Sequence, residues 1–367
     1  MRMLVLPGDG IGPEITAATS TVLDELNRAL GLGIETEQHD IGLLALERSG
    51  STLPEETMAC IPEVDGVVLG PVSHYEYPER SKGGINPSAE LRTVFDLFAN
   101  IRPCVSRADL TALRRPMDLV IVRENTEGFY SDRNMFAGSG EFMPDEDTAL
   151  SIRKITAGAS SRIARTAFEL ARKRRRRVTA VHKANVVKLT DGLFLREVRK
   201  IAADFPDVEL QELIVDAAAA ALIRRPDDFD VIVTTNMFGD ILSDEASELS
   251  GSLGLGGSIN VGHDMCLAQA QHGSAPDIAG RDVANPTSLI LSVAMLLEWH
   301  GERRCDPRFV EAATVLHDAV ERVLDVREHR TADVGGSTGT QEFAAYVVDE
   351  IRSGVAVATT ALTKEHR

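Results

Sequence analysis

Short apolar blocks alternate along the chain with longer stretches of helical spacing. The run over 2–6 ends at Pro7-Gly8, as a short buried strand does. Ile15, Ala18, Val22, Leu26 and Leu30 then recur at helical intervals, with Pro13 near the start, where its missing N–H costs nothing. Val67-Val68-Leu69, Leu119–Val122, Val178–Val181 and Val231–Val233 are short apolar runs bounded by glycine, charge or polar turns, and they predict buried strands. Helical patterning lies between and after them, near 155–172, 187–203, 238–250 and 287–300. Strands and helices in alternation predict an α/β fold with helices on both faces of a sheet. Residues 131–148 are polar and weakly periodic, and predict an excursion or arm.

At 367 residues the chain exceeds what one compact domain usually holds, so two packed domains or one large α/β unit is expected. Lys and Arg number 39 against 56 acidic residues, a net charge of −17, which argues against nucleic acid or an anionic membrane as the main partner. A few arginines in one pocket can still dominate a local field. No apolar stretch reaches bilayer length and the first residues lack a signal-peptide pattern, so a cytoplasmic protein is expected. Cys60, Cys104, Cys266 and Cys305 lie far apart without CxxC spacing, which suits free thiols. The run Arg172–Arg177 reads as the exposed end of a helix, where cations suit the dipole.

Several residues carry chemistry. Gly8-Asp9-Gly10-Ile11-Gly12-Pro13 is not GxGxxG, and a tight strand-to-helix turn accounts for it. Arg92, Arg102 and Arg123 are candidate carboxylate forks; Arg123 comes directly off the run 119–122, at a strand's C-terminal end. Asp240 and Asp244 are four apart at the start of a helix, so they share one face and suit a hard divalent cation, or simply compensate the helix dipole. Asp216, also after an apolar segment, is a further candidate ligand. Lys183, following the strand 178–181, is a candidate base. In the small-residue loop 272–280, Asp277 is placed to accept from both hydroxyls of a ribose and to repel a 2′-phosphate, favouring NAD over NADP.

These segments together resemble the β-decarboxylating dehydrogenases of isocitrate, 3-isopropylmalate, homoisocitrate and tartrate/D-malate. The likeness runs nearly end to end: GDGIGPEI (8–15), LR (91–92), NIRP (100–103), VRENTEGFY (122–130), HKANVVK (182–188), TTNMFGDILSD (234–244), GSLGLGGSINVG (251–262), HGSAPDIAG (272–280) and ANP (284–286). The resemblance implies an isopropylmalate dehydrogenase-like α/β fold rather than a Rossmann fold. It implies two open domains sharing a sheet core: 1–97 with 253–367 for the cofactor, and 98–252 for dimerisation. It implies a homodimer with shared active sites. Arg92, Arg102 and Arg123, with Ser88 and Asn185, would bind substrate. Asp240 and Asp244 of one chain and Asp216 of the other would hold Mg²⁺ or Mn²⁺. Lys183 of the partner would assist proton removal from the C2 hydroxyl, and Tyr130 would deliver a proton to C3. Ile11, His272, Gly273, Ser274, Ala275, Pro276, Asp277, Ile278 and Asn285 would contact NAD.

Two positions depart from the family pattern. Gln269 stands where members often have glutamate, and 82–90 (KGGINPSAE) matches neither the isocitrate nor the isopropylmalate substrate segment. The 272–286 block and TADVGGSTGT (331–340) look closest to 3-isopropylmalate dehydrogenases. Isocitrate, homoisocitrate and tartrate/D-malate remain alternatives, and a non-catalytic regulatory subunit a remote one, since Tyr130, Lys183 and the three aspartates are all present.

Overall fold

A computed structural model describes residues 1–365 apart from 112, 131–134, 136, 137 and 139, with side chains described as far as 355. The expected arm therefore falls partly outside the described residues. Its described part is an antiparallel hairpin, Glu141–Asp145 with Thr148–Ser151, whose residues are all exposed.

The chain divides into two compact units, Met1–Ser88 with Leu253–Ile259 and Met265–Arg367, and Ala89–Ser252 with Asn260–Asp264. The division differs from the expected one in that 89–97 and 260–264 fall with the second unit. Side-chain amides give the reason: Asn100 and Asn125 both donate to Asn260 Oδ1 (3.2 and 2.9 Å), and Asn125 also donates to the Leu97 carbonyl (3.0 Å).

In the first unit Arg2–Leu6 runs parallel to Glu35–Gln38 on one side and Gly66–Leu69 on the other, and Cys266–Gln269 continues the parallel set. The two central strands are buried almost completely, which is why they read as unbroken apolar runs. Gly12–Leu30 buries Ile15, Ala18, Val22 and Leu26, and the long helices Thr287–Arg304, Pro307–Asp325 and Thr340–Glu365 pack with it and with one another.

In the second unit Asp118–Glu124 lies between antiparallel Ala99–Val105 and parallel Val231–Thr234, followed by parallel Arg177–His182 and Glu209–Ile214. Leu119, Ile121, Val181 and Ile232 meet Leu222, Leu242 and Ala246 of the covering helices in one core. Four of these five strands are parallel, so the segments that follow them emerge at the same sheet edge. The basic run is not the helix end the sequence suggested: only Arg172 lies in the helix Ala157–Arg172 and Arg177 opens the next strand, while Arg172 pairs with Asp207, Arg174 with Asp118 and the buried Asp230, Arg175 with Asp118 and Arg177 with Glu209. All four cysteines are free thiols. Among the described residues no helix is long and apolar enough to cross a membrane.

Candidate active site

Arg123, the penultimate residue of its strand, has a buried side chain. Its Nε and Nη2 both donate to Asn236 Oδ1 (2.9 and 2.7 Å), and Nη1 donates to Asp240. Asn236 opens the helix Asn236–Ser250 and donates its own amide to the Glu127 carbonyl, so the acceptor is fixed before any ligand arrives. Burial lowers the Arg123 pKa to about 10, against the pull of Asp240. Arg102 sits on the antiparallel neighbour opposite Ile121, two register positions from Arg123. It donates to Ser243 Oγ (2.7 Å) and Asp244 Oδ1 (2.9 Å), and its other amino group is 3.7 Å from Asp240. Two guanidiniums and two carboxylates thus converge within one unit.

Asp240 and Asp244 side chains keep 37% and 50% of their surface, enough for an ion to reach them. Burial, with Asp240 close by, raises the Asp244 pKa despite the opposing pull of Arg102. A divalent cation would relieve that cost, so the oxygen donors fit a hard ion with open positions for water and substrate. Asp216 does not join them within one chain: it opens the helix Val215–Arg224 and accepts an ion pair from Lys183, which holds its carboxyl below the usual range. Lys183 in turn has its backbone N–H on the buried Asp191 (2.5 Å), and Asp191 is paired with Arg153. Asn185 is exposed in the turn that follows.

Arg92 lies on the helix Pro87–Val94, one turn after Ser88, whose hydroxyl donates to Gln269 Oε1 (3.0 Å). Gln269 is thereby tied to the segment 82–90. Tyr130 stands in the turn after the Arg123 strand, within electrostatic reach of that guanidinium.

A separate cavity of about 240 Å³ in the first unit is lined by Ile11, His272, Gly273, Ala275, Ile278 and Asn285, with Gly254, Val283, Ala284 and Asp333. Gly10, at φ +58°, makes this wall possible, because a Cβ there would lie 2.0 Å from the Ser274 carbonyl, which accepts from Ile11 N–H. Ser274 accepts a hydrogen bond from the Ser73 hydroxyl (2.8 Å), and Pro276 and Asp277 are exposed on the short turn Pro276–Ile278, so none of the three lines the cavity. Burial lowers the His272 pKa, favouring the neutral ring, and its Nε2 is buried without a hydrogen-bond partner. An orphaned polar atom beside a glycine that faces open space fits an aromatic, hydrogen-bonding ligand such as a nucleotide base.

Sequence reasoning missed Asn236, Ser243, Asp191, Arg153 and Asp333. Asn236 and Ser243 lie inside TTNMFGDILSD, and Asp333, which accepts from Asn285 (3.0 Å), lies inside TADVGGSTGT, so the motifs held the signal. The Arg153–Asp191 pair had none, being 38 residues apart.

The family model for isocitrate/isopropylmalate dehydrogenase matches residues 2–347. The chain is 39% identical to the 3-isopropylmalate dehydrogenase of Sulfurisphaera tokodaii, over 95% of this chain and 98% of that protein. It is 42% identical to the isocitrate/homoisocitrate dehydrogenase of Thermus thermophilus, over 96% and 99%. The crystal structure of isocitrate dehydrogenase from Methylococcus capsulatus superposes with a TM-score of 0.83 at 38% identity, covering 96% of this chain and 99% of that one. The chain is an oxidoreductase belonging to the isocitrate/isopropylmalate dehydrogenase family.

Proposed function

We propose that the protein catalyses the NAD-dependent, Mg²⁺- or Mn²⁺-dependent oxidative decarboxylation of a 3-substituted (2R)-malate, with 3-isopropylmalate the favoured substrate. The observation that carries this reading is the convergence of Arg102 and Arg123 on Asp240 and Asp244. Paired forks at that spacing suit the two carboxylates of a malate, and the carboxylates beside them suit its counter-ion. The 272–286 block favours isopropylmalate over isocitrate and homoisocitrate.

NAD⁺ would accept hydride from C2, and the divalent ion would supply Lewis acidity at the C2 oxygen. The chain's own residues do the rest. Arg92, Arg102 and Arg123 orient the malate so that its C2–H points at the acceptor. Lys183 of the partner subunit takes the C2 hydroxyl proton as the ketone forms. The C3 carboxylate then leaves as CO₂, its bonding pair passing into the C2–C3 enolate, and Tyr130 returns a proton to C3 to give a 2-oxo acid.

Two half-sites in one chain support sharing between copies. Lys183 and Asp216 form one and the arginine–aspartate cluster the other, and exposed apolar side chains flank both: Val186 and Leu189 beside Lys183, and Ile241 beside Asp240. A homodimer would cover these surfaces.

The test is NADH formation with Mn²⁺ from isopropylmalate, isocitrate, homoisocitrate, tartrate and D-malate. Turnover of isopropylmalate above the rest supports the reading. Inactivity on all five, or activity only after a homologous chain is added, refutes it in favour of a regulatory subunit. Full activity in Asp240→Asn would remove the metal assignment.

A further inference from the structure

We propose that Glu37, His39 and Cys60 form a binding site for a thiophilic divalent cation of the Zn²⁺ class at the edge of the first unit. They are, among the described residues, the one set of three or more potential ligands whose donor atoms lie within 4.8 Å of one another. None belongs to a motif of the dehydrogenase site.

Local structure brings them together. Glu37 lies in the edge strand Glu35–Gln38 and His39 directly after it, so the two-residue period puts both side chains on one face. Cys60 ends the helix Glu55–Cys60. His39 Nε2 is 3.0 Å from one Glu37 oxygen and Cys60 Sγ is 3.8 Å from the other. Tetrahedral zinc, with bonds of about 2.0–2.3 Å, separates its ligand atoms by roughly 3.3–3.8 Å, so small side-chain rotations suffice.

The histidine is already oriented. Its Nδ1 is 3.1 Å from the hydroxyl of Thr57, a buried residue three positions before Cys60 and so on the same helix face. That contact leaves Nε2 as the ligating nitrogen, the arrangement that outer hydrogen bonds impose on metal-bound imidazoles. Thiol, imidazole and a single carboxylate select zinc-like ions over Mg²⁺ and Mn²⁺, which prefer all-oxygen sets. Among the described residues Arg2 is the cation that competes for Glu37, 3.7 Å away with both side chains about half exposed, a pair of little energetic weight. A bound ion would clamp the edge strand, whose four residues are all exposed, to the helix that carries Cys60.

Full-length protein should be titrated with Zn²⁺ by calorimetry in excess Mg²⁺, and with Co²⁺ by absorption. The expected result is one high-affinity equivalent per chain and a thiolate-to-Co²⁺ charge-transfer band. Cys60→Ser should abolish the band, and Cys60→Ser and His39→Gln should each weaken Zn²⁺ binding by about 100-fold or more. Thr57→Val should cost about 10- to 100-fold. Cys305→Ser and Asp240→Asn should leave the site intact. Absence of the band, its survival in Cys60→Ser, or parental Zn²⁺ affinity in His39→Gln overturns the proposal. The His39→Gln result decides if Cys60→Ser does not fold.

Discussion

Replacing Arg123 by lysine isolates what the guanidinium fork contributes beyond its charge. In the parent, Asn236 Oδ1 receives two of the fork's N–H groups in a buried setting, and Asp240 receives a third. An ammonium is a point donor and cannot span both acceptors. The Asn236 oxygen loses at least one buried partner, which costs about 1–3 kcal/mol of folding stability. On the proposed function, a two-bond grip on the substrate carboxylate would become a single charge. Losing one charge-assisted hydrogen bond of about 1.5–3 kcal/mol in the transition state corresponds to roughly 10- to 150-fold in kcat/KM. The assay is steady-state NADH formation, with circular dichroism and urea melts to separate misfolding from lost recognition. Arg174→Lys, which alters an arginine paired with Asp118 and Asp230, is the control expected to keep kcat/KM. A folded Arg123→Lys enzyme with kcat/KM within about twofold of the parent would refute the reasoning.

Gly239→Ala tests the closeness of helix and strand, because a Cβ there would lie 2.6 Å from both Cβ and Cγ of Arg123; kcat/KM should fall although alanine is the better helix former. Glu25 joins the helix Gly12–Leu30 to the C-terminal helix through Arg352 and also pairs with Arg28, and these partners lower its pKa from 4.5 to about 2. The depressed value means its stabilisation is complete above about pH 4.5 and is lost as pH falls towards 2. Both guanidiniums stand in solvent, so Glu25→Gln should cost only about 1–2 kcal/mol at neutral pH and nothing at the acid end, read from urea midpoints against pH; equal cost at both ends contradicts the linkage. If Asp277 faces the ribose as proposed, D277K combined with I278Y should raise the NADP/NAD ratio of kcat/KM by about tenfold or more, about 1.4 kcal/mol, since a cation would then meet the 2′-phosphate. An unchanged ratio would detach Asp277 from ribose recognition.

What was legible in the sequence follows burial. Gly66–Leu69 and Val231–Thr234 are buried on both faces, so their composition alone marks them as strands. Glu35–Gln38 is an edge strand of four exposed polar residues and carries no hydrophobic signature, although it pairs in register with Arg2–Val5. Ala99–Val105 contains Pro103 and pairs antiparallel, so propensity argues against it while the pairing with Asp118–Glu124 enforces it. In the site, Arg123 was legible as a charge directly after the buried run 119–122, and the other candidate residues through the family motifs that contain them. Their partners were not, because Lys183 with Asp216 and Arg123 with Asn236 depend on strand order, not spacing.

The charge arrangement also constrains how ligands enter. Arg102 and Arg123 are buried and balanced by Asp240 and Asp244, two charges against two. A malate dianion arriving alone would meet both forks already engaged and two carboxylates that repel it. A divalent ion arriving alone would take the carboxylates and leave two guanidiniums unpaired in low dielectric, which is costly. With both ligands present, each of these four charges would have a partner: the aspartates would face the ion and the forks the substrate. The net charge of the filled cluster equals that of the empty one. On the proposed function, ion and substrate would therefore bind with a favourable coupling free energy, acting equally in both directions.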